Sequence, residues 1–298
     1  NVYLSDVPDT RVAWSSVVGD PTTGHVFALG VCGQFQCIDG ETGATVWQHS
    51  LSEEYGLLST YGGRTNFPIV FENLVIINAV MINWGERARP QHTFVAFDKR
   101  NGQAVWMEGT TPLPTDTTYS SPVIAAIDGE MQLIFGSGDG GVHGFQPRTG
   151  KELWSYKASM RGINTTPLVV GNHVICGHSE ENVNDTAMGA LFAVDAAKRG
   201  NLNENGEVWR IKEMTVGKTA PLEVNGRLYV IDDSAGLKIV DVKSGTEIAS
   251  KKVGRIGRAS PLYADGKIFT CDENGIFFIL KPTDDGVEQT LMLRLNEP

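Results

Sequence analysis

The chain is poor in the residues that staple or metallate a small fold. Four cysteines in 298 residues are too few for a disulfide framework at this size. Cys32 and Cys37 are close enough to pair across a hairpin, but they lack the second ligand pair of a zinc site. Cys176 and Cys271 lie in apolar runs and read as buried free thiols, so cysteine usage leaves the redox compartment open. Basic residues are scarce too. Lys and Arg number 25 against 35 Asp and Glu, a net charge of −10, and without a basic stripe the usual nucleic-acid backbone binder is excluded. No apolar run reaches the roughly 18 residues of a membrane-spanning helix; the best stretch, 74–84, is interrupted by Asn78 and Asn83. Helix-period segments are almost missing, which argues against a parallel α/β fold. The first residue is Asn and no signal-peptide pattern is present, so the expectation is a processed or trimmed chain.

What is abundant is glycine, 34 residues against 13 prolines, and its placement is periodic. One phrase recurs: a short apolar strand, Asp or a substitute, a turn ending in Gly, and a strand that often closes on Trp. It reads FQCIDGETGATVW at 35–47, FVAFDKRNGQAVW at 94–106 and VHGFQPRTGKELW at 142–154. A fourth copy runs from Leu191 through a longer turn to Gly206 and Trp209. The fifth, 237–249, has Ala249 where Trp stood, and a degraded sixth runs 277–286. Before most copies comes a small polar residue, Pro, and a hairpin; the prolines are Pro68, Pro122, Pro167, Pro221 and Pro261. Asn225-Gly226 and Asp265-Gly266 sit between apolar runs, the strongest short hairpin signal. Each unit therefore supplies four strands, A to D. A lone four-stranded sheet cannot bury both faces, and radial stacking of such sheets gives an all-β propeller. The single domain expected spans 1–298.

The phrase Asp-x-x-Thr-Gly-x-x-x-Trp at Asp39–Trp47, with Thr149-Gly150 and Trp154 in the third copy, resembles the repeat of the pyrroloquinoline-quinone-like (PQQ-like) β-propeller family. That family holds quinoprotein alcohol dehydrogenases, BamB-like periplasmic lipoproteins and uncharacterised bacterial propellers. The resemblance covers about residues 11 to 295 and implies a bacterial, periplasmic or cell-surface protein. It also implies that Trp47, Trp106, Trp154 and Trp209 dock between blades. Such rings usually close with seven or eight blades, so six readable copies are either a small ring or part of a larger one. Asn1–Thr10 then reads as the last strand of an upstream blade or as a strand closing the ring.

Several motifs are decoys. Gly136-Ser-Gly138-Asp-Gly140-Gly141 spells a dinucleotide fingerprint, but a strand follows it where the fingerprint needs a helix. Asn201–Gly206 resembles half a calcium loop, with Asn201 at position one and Lys212 at position twelve in place of Asp and Glu. Asn164-Thr-Thr166 and Asn184-Asp-Thr186 spell glycosylation sequons and are incidental in a bacterial chain. H-E-x-x-H, G-x-S-x-G and paired C-x-x-C are missing, as is the vicinal cysteine pair of the quinone enzymes.

Binding is expected on the face that carries the B–C and D–A connections, where the insertions are long. One is 78–92, with Trp84, Arg87, Arg89 and His92. Another is 177–189, with His178, Glu180 and Glu181, and a third runs 48–64 with Tyr55, Leu57, Leu58 and Tyr61. The residues three before each strand-A proline, Thr65, Tyr119, Asn164, Lys218 and Arg258, are expected around the channel mouth beside Arg64. That polar, partly basic rim would focus an anionic ligand or an acidic segment of a partner. The reading is a non-catalytic scaffold that takes a protein or small ligand on this face and needs no cofactor or metal. The alternatives are a dehydrogenase dependent on PQQ and calcium, and a carbohydrate binder using Trp84, Tyr61 and Tyr119.

Overall fold

A computed structural model describes residues 15–30, 33–57, 67–80, 92–110 and 118–295. Its six sheets follow the repeats in order. Sheet 1 is β1 (Val18–Asp20), β2 (His25–Leu29), β3 (Gln34–Asp39) and β4 (Thr45–Ser50), followed by a five-residue helix, α1 (Leu51–Tyr55). Sheet 2 is β5 (Ile69–Phe71), β6 (Leu74–Val80), β7 (His92–Asp98) and β8 (Ala104–Gly109). Sheet 3 is β9 (Val123–Ile127), β10 (Glu130–Gly136), β11 (Gly141–Phe145) and β12 (Glu152–Lys157). Sheet 4 is β13 (Leu168–Val170), β14 (His173–Glu181), β15 (Met188–Asp195) and, after the two-residue β16 (Gly200–Asn201), β17 (Glu207–Lys212). Sheet 5 is β18 (Leu222–Val224), β19 (Arg227–Ile231), β20 (Gly236–Asp241) and β21 (Glu247–Lys252). Sheet 6 is β22 (Leu262–Ala264), β23 (Lys267–Cys271), β24 (Ile276–Thr283) and β25 (Gly286–Arg294). Each is an antiparallel meander, and β16 joins sheet 3 as a short parallel fifth strand beside β12.

Local chemistry explains the meanders. The A–B turns place Asp128-Gly129, Asn225-Gly226 and Asp265-Gly266 at positive φ in both positions, the geometry that matches the twist of paired strands. In the C–D turns, the Asp39 carboxylate accepts the Thr42 amide at 2.7 Å and the Thr42 hydroxyl at 2.7 Å. Asp241 does the same for Ser244, and the Gln146 carbonyl replaces Asp in the third copy by accepting from Thr149. The Gly that ends the turn is left-handed at Gly43, Gly102, Gly150 and Gly245.

Among the described residues the buried apolar side chains form five clusters, each at the seam between consecutive sheets. At the first seam, the Trp47 indole packs where a Gly102 Cβ would stand and donates to the Lys99 carbonyl at 3.2 Å. Trp106 repeats this with Gly150 and the Pro147 carbonyl, and Trp209 with Gly245 and the Val242 carbonyl. Ala249 meets Gly286 with a methyl group alone. Trp154 differs: it lies over Gly144 of its own sheet and donates to Gln132 Oε1 at 2.7 Å. Gln132 Nε2 then donates to the Ala196 carbonyl of sheet 4, the acceptor equivalent to Lys99, Pro147 and Val242. The longer fourth turn folds back instead, with Leu202 in the seam and its amide on the Ser155 carbonyl.

A second set of links ties four of the A–B turns to the next C–D turn. Asp20 and Lys99 form a buried pair at 2.7 Å, Glu72 holds Arg148 at 2.5 Å and Glu130 holds Arg199 at 2.6 Å. Arg227 reaches the Thr283 and Asp284 carbonyls. The helix α1, unforeseen in the sequence, sets Leu51 into the first seam, where Leu57 joins it.

Candidate functional site

The segments before the strand-A prolines run along one another. The Tyr119 amide donates to Asn164 Oδ1 at 2.9 Å, Ser121 to Thr166 and Ala220 to Ser260. This ladder brings the D–A linkers beside the B–C turns of sheets 4 and 5. Between them lies a cleft of about 250 Å³, lined by Gly162, Asn164, His178, Ser179, Glu180, Gly217, Lys218 and Asp233. Four of the residues singled out in the sequence, Asn164, His178, Glu180 and Lys218, therefore share one site.

Asp233 organises the floor. Its Oδ2 accepts the Ser179 hydroxyl at 2.5 Å and its Oδ1 the Gly217 amide at 3.0 Å. Only glycine fits at 217, because a Cβ would run into the Ser179 hydroxyl. The Asp233 amide in turn donates to the Thr215 carbonyl. Glu180 faces Arg161 at 4.0 Å, and Lys218 is exposed and makes no hydrogen bond or ion pair with the described residues. His178 is buried against Phe192, and neither ring nitrogen makes a hydrogen bond of normal geometry. Burial, with help from the Arg210 charge, pulls its pKa down to about 4, so the ring is neutral at physiological pH.

Ser179, His178 and Asp233 do not form a nucleophilic triad. A triad needs the imidazole between hydroxyl and carboxylate, whereas the Ser179 hydroxyl donates directly to Asp233. What the cleft offers is a free ammonium, two carboxylates and an amide side by side, a surface suited to a polar polypeptide segment. Asp233 and Ser179 were missed in the sequence; the only available signal was Asp232-Asp233 in the short turn before Gly236.

The remaining residues of the expected rim behave differently. Arg258 pairs with Glu273 at 2.6 Å at the surface, whereas Lys218 has no such partner among the described residues. Glu181 lies on the bulge of β14, where its carbonyl accepts the Met160 amide. Tyr61, Arg64, Thr65, Trp84, Arg87 and Arg89 lie outside the described residues, as does Cys32. Cys37 is a free, buried thiol that burial pushes up to about 11. Cys271 is half-exposed, which corrects its reading as buried.

A second polar group lies at the seam of sheets 2 and 3. His143 Nε2 meets Asp139 at 3.1 Å and Nδ1 meets Glu152 at 2.8 Å. The glycine-rich 136–141 loop is a B–C hairpin, as the repeat implied, and the work of its Asp139 is to hold this imidazole. The pattern was legible as Asp and His four residues apart, but scattered histidines carry no signal of their own.

The comparisons with known proteins bear on the family and the fold. The sequence profile of the family described as outer membrane protein assembly factor BamB matches residues 5–205. The outer membrane protein assembly factor BamB of Yersinia pestis is 22% identical over 290 residues, covering 93% of this chain and 64% of that protein. The chain thus spans less than two thirds of that relative's length. The crystal structure of BamB from Moraxella catarrhalis aligns with a TM-score of 0.70 at 18% identity, covering 94% of this chain and 76% of that one. At that identity the likeness shows the fold.

Proposed function

The chain belongs to the family of the outer membrane protein assembly factor BamB, and from that premise we propose that it is a non-catalytic periplasmic scaffold in outer-membrane protein assembly. It engages a polypeptide partner on the face formed by the D–A linkers and B–C turns. The observation that carries this reading is the cleft, which gathers Asn164, His178, Glu180, Lys218 and Asp233 from the linkers and B–C turns of two consecutive repeats. Its mixed charges and its lack of an acid–base or nucleophile arrangement suit recognition of a polar chain segment. The proposed activity requires neither quinone nor calcium.

The test is complementation. In the source bacterium lacking the gene, the wild-type full-length protein restores outer-membrane β-barrel levels. The Lys218→Glu variant, confirmed folded by circular dichroism, is expected to restore them poorly and to lose more than tenfold of its cross-linking to its assembly partner. Tenfold corresponds to about 1.4 kcal/mol. Full restoration and unchanged cross-linking by Lys218→Glu would remove this face from the function. Turnover of an alcohol or sugar substrate after addition of PQQ and calcium would overturn the scaffold reading itself.

A further inference from the structure

The cleft has two halves, and they are held in different ways. Asp233 organises the half that belongs to sheet 5. The other half comes from sheet 4: the linker before β13 supplies Gly162 and Asn164, and β14 supplies His178 and Glu180. These two segments are joined in a short three-stranded ribbon at the end of the sheet. Ser159 bridges to Asn182, the Met160 amide donates to the Glu181 carbonyl at 2.9 Å, and Glu181 pairs with Met188 across the hairpin. Alternation sorts the ribbon into two faces. Met160, Glu181 and Met188 are exposed on one, whereas Ser159 and Asn182 are buried on the other.

The buried face of the ribbon meets Arg210, on the D strand of sheet 4. Its side chain is 14% exposed and is not among those lining the cleft. Its nitrogens donate in three directions: Nε to Glu207 Oε2, Nη1 to Asn182 Oδ1 and Nη2 to the Tyr156 hydroxyl, each at 2.8 Å. Tyr156, from sheet 3, donates its own hydroxyl proton to Glu207. The guanidinium lies over the Phe192 ring, 5.3 Å from its centroid, a cation–π contact. Asn182 Nδ2 in turn donates to the Ala187 and Gly189 carbonyls at 2.8 and 3.2 Å. A chain of bonds therefore runs from the D strands of sheets 3 and 4, through one guanidinium, to both strands of the hairpin and the linker beside it. The position directly after the docking residue is Gln48, Met107, Ser155 and Ser250 in the other copies that have it. The cation stands in the copy whose B–C hairpin is drawn out into the ribbon.

Resting on the partner-binding reading above, we propose that Arg210 is the positioning residue of the cleft: through Asn182 it fixes the ribbon, and with it the Gly162–Asn164 and His178–Glu180 edges, in the geometry that receives the partner. Arginine suits this place because a planar fork satisfies acceptors on three elements at once, which a single ammonium on a flexible stem does not. Burial, and after it the same charge, oppose protonation of His178 and keep a second cation out of this side of the cleft. Asp233 and Arg210 thus play matching parts, one under each half of the site.

The test uses the full-length protein and two variants that cut the link from opposite ends, Arg210→Lys and Asn182→Leu. Asn182→Leu leaves Arg210 on Glu207 and Tyr156, so it keeps the seam of sheets 3 and 4 should Arg210→Lys fail to fold. Hydrogen exchange, read by peptide mass mapping, is expected to quicken about tenfold in segments 158–164 and 177–189 of either variant and to keep the wild-type rate in β19 and β20. Cross-linking to the assembly partner should fall about tenfold in both. In Arg210→Gln the His178 ring, followed by NMR, should titrate about half a pH unit higher, because the neighbouring cation is gone. Trp154→Phe weakens the same seam without touching the link and should keep both cross-linking and ribbon exchange. Exchange that quickens evenly over all six sheets, an equal loss of cross-linking in Trp154→Phe, or ribbon exchange and a His178 titration that stay at the wild-type values overturns the proposal. Unchanged cross-linking in Arg210→Lys and Asn182→Leu beside a loss in Lys218→Glu overturns it too and leaves the binding reading standing. Unchanged cross-linking in every variant, Lys218→Glu included, removes the binding reading, and exchange and titration then decide the positioning by themselves.

Discussion

At the scale of single residues, the buried imidazoles set the pH behaviour. Burial opposes a charge on His143, but the Asp139 charge and hydrogen bond, with Glu152, outweigh it and hold the pKa up at about 9. In the unfolded chain it returns to about 6.5. The raised value stabilises the fold fully below about pH 6.5, and that contribution is lost as pH rises through 9. His92 and His178 act in the opposite sense. Burial holds them down at about 3 and about 4, so the unfolded state takes up protons first and stability falls as pH drops below 6.5. The expected urea-midpoint profile therefore has its maximum near neutrality and declines on both sides. His143→Leu should cost about 3 kcal/mol at pH 6, because it removes the imidazolium from the buried Asp139 carboxylate, and the gap to wild type should narrow above pH 9. A gap that is constant from pH 6 to 10 would refute the assignment of the alkaline limb to His143.

At the scale of elements, the joint is a ring over a glycine turn. Trp47→Ala removes a large indole from the first seam and should lower stability by about 3–5 kcal/mol. Gly102→Ala attacks the same joint from the other side. Its Cβ would come within 2.7 Å of the Trp47 ring from a left-handed backbone, so about 1–3 kcal/mol is expected from overpacking, and in the double variant the two losses should not add. Trp154 offers a contrast. Trp154→Phe keeps most of the packing but leaves the buried Gln132 carbonyl unpaired, an expected cost of about 1–3 kcal/mol. Gln132→Leu in the same chain should recover part of it. Chemical denaturation of the five variants measures all of these terms.

At the scale of the whole molecule, stability is shared along a row of seams, as in other repeat arrays. Among the described residues, sheets 2 to 5 have neighbours packed on both faces, whereas sheets 1 and 6 have one each. Native-state hydrogen exchange of the 298-residue chain should therefore be slowest in β10, β11, β14 and β15 and fastest in β22 to β25. Equal protection across all six sheets would show that an end-to-end contact closes the array.

The sequence alone determined the repeat, the strand order inside each sheet and the turn types. These depend on neighbours in the chain: an Asp that caps its own turn, a Gly at positive φ, an Asn-Gly between alternating strands. It also placed Asn164, His178, Glu180 and Lys218 on one face, because equivalent positions in equivalent repeats fall on the same side. Only the tertiary structure decided which of them meet, since the cleft joins segments up to 71 residues apart whose contact depends on how sheets 4 and 5 stack. It also turned Trp154 onto Gln132 and paired Arg258 with Glu273. Each of these outcomes depends on a partner from a distant part of the chain, and local patterning carries no information about such partners.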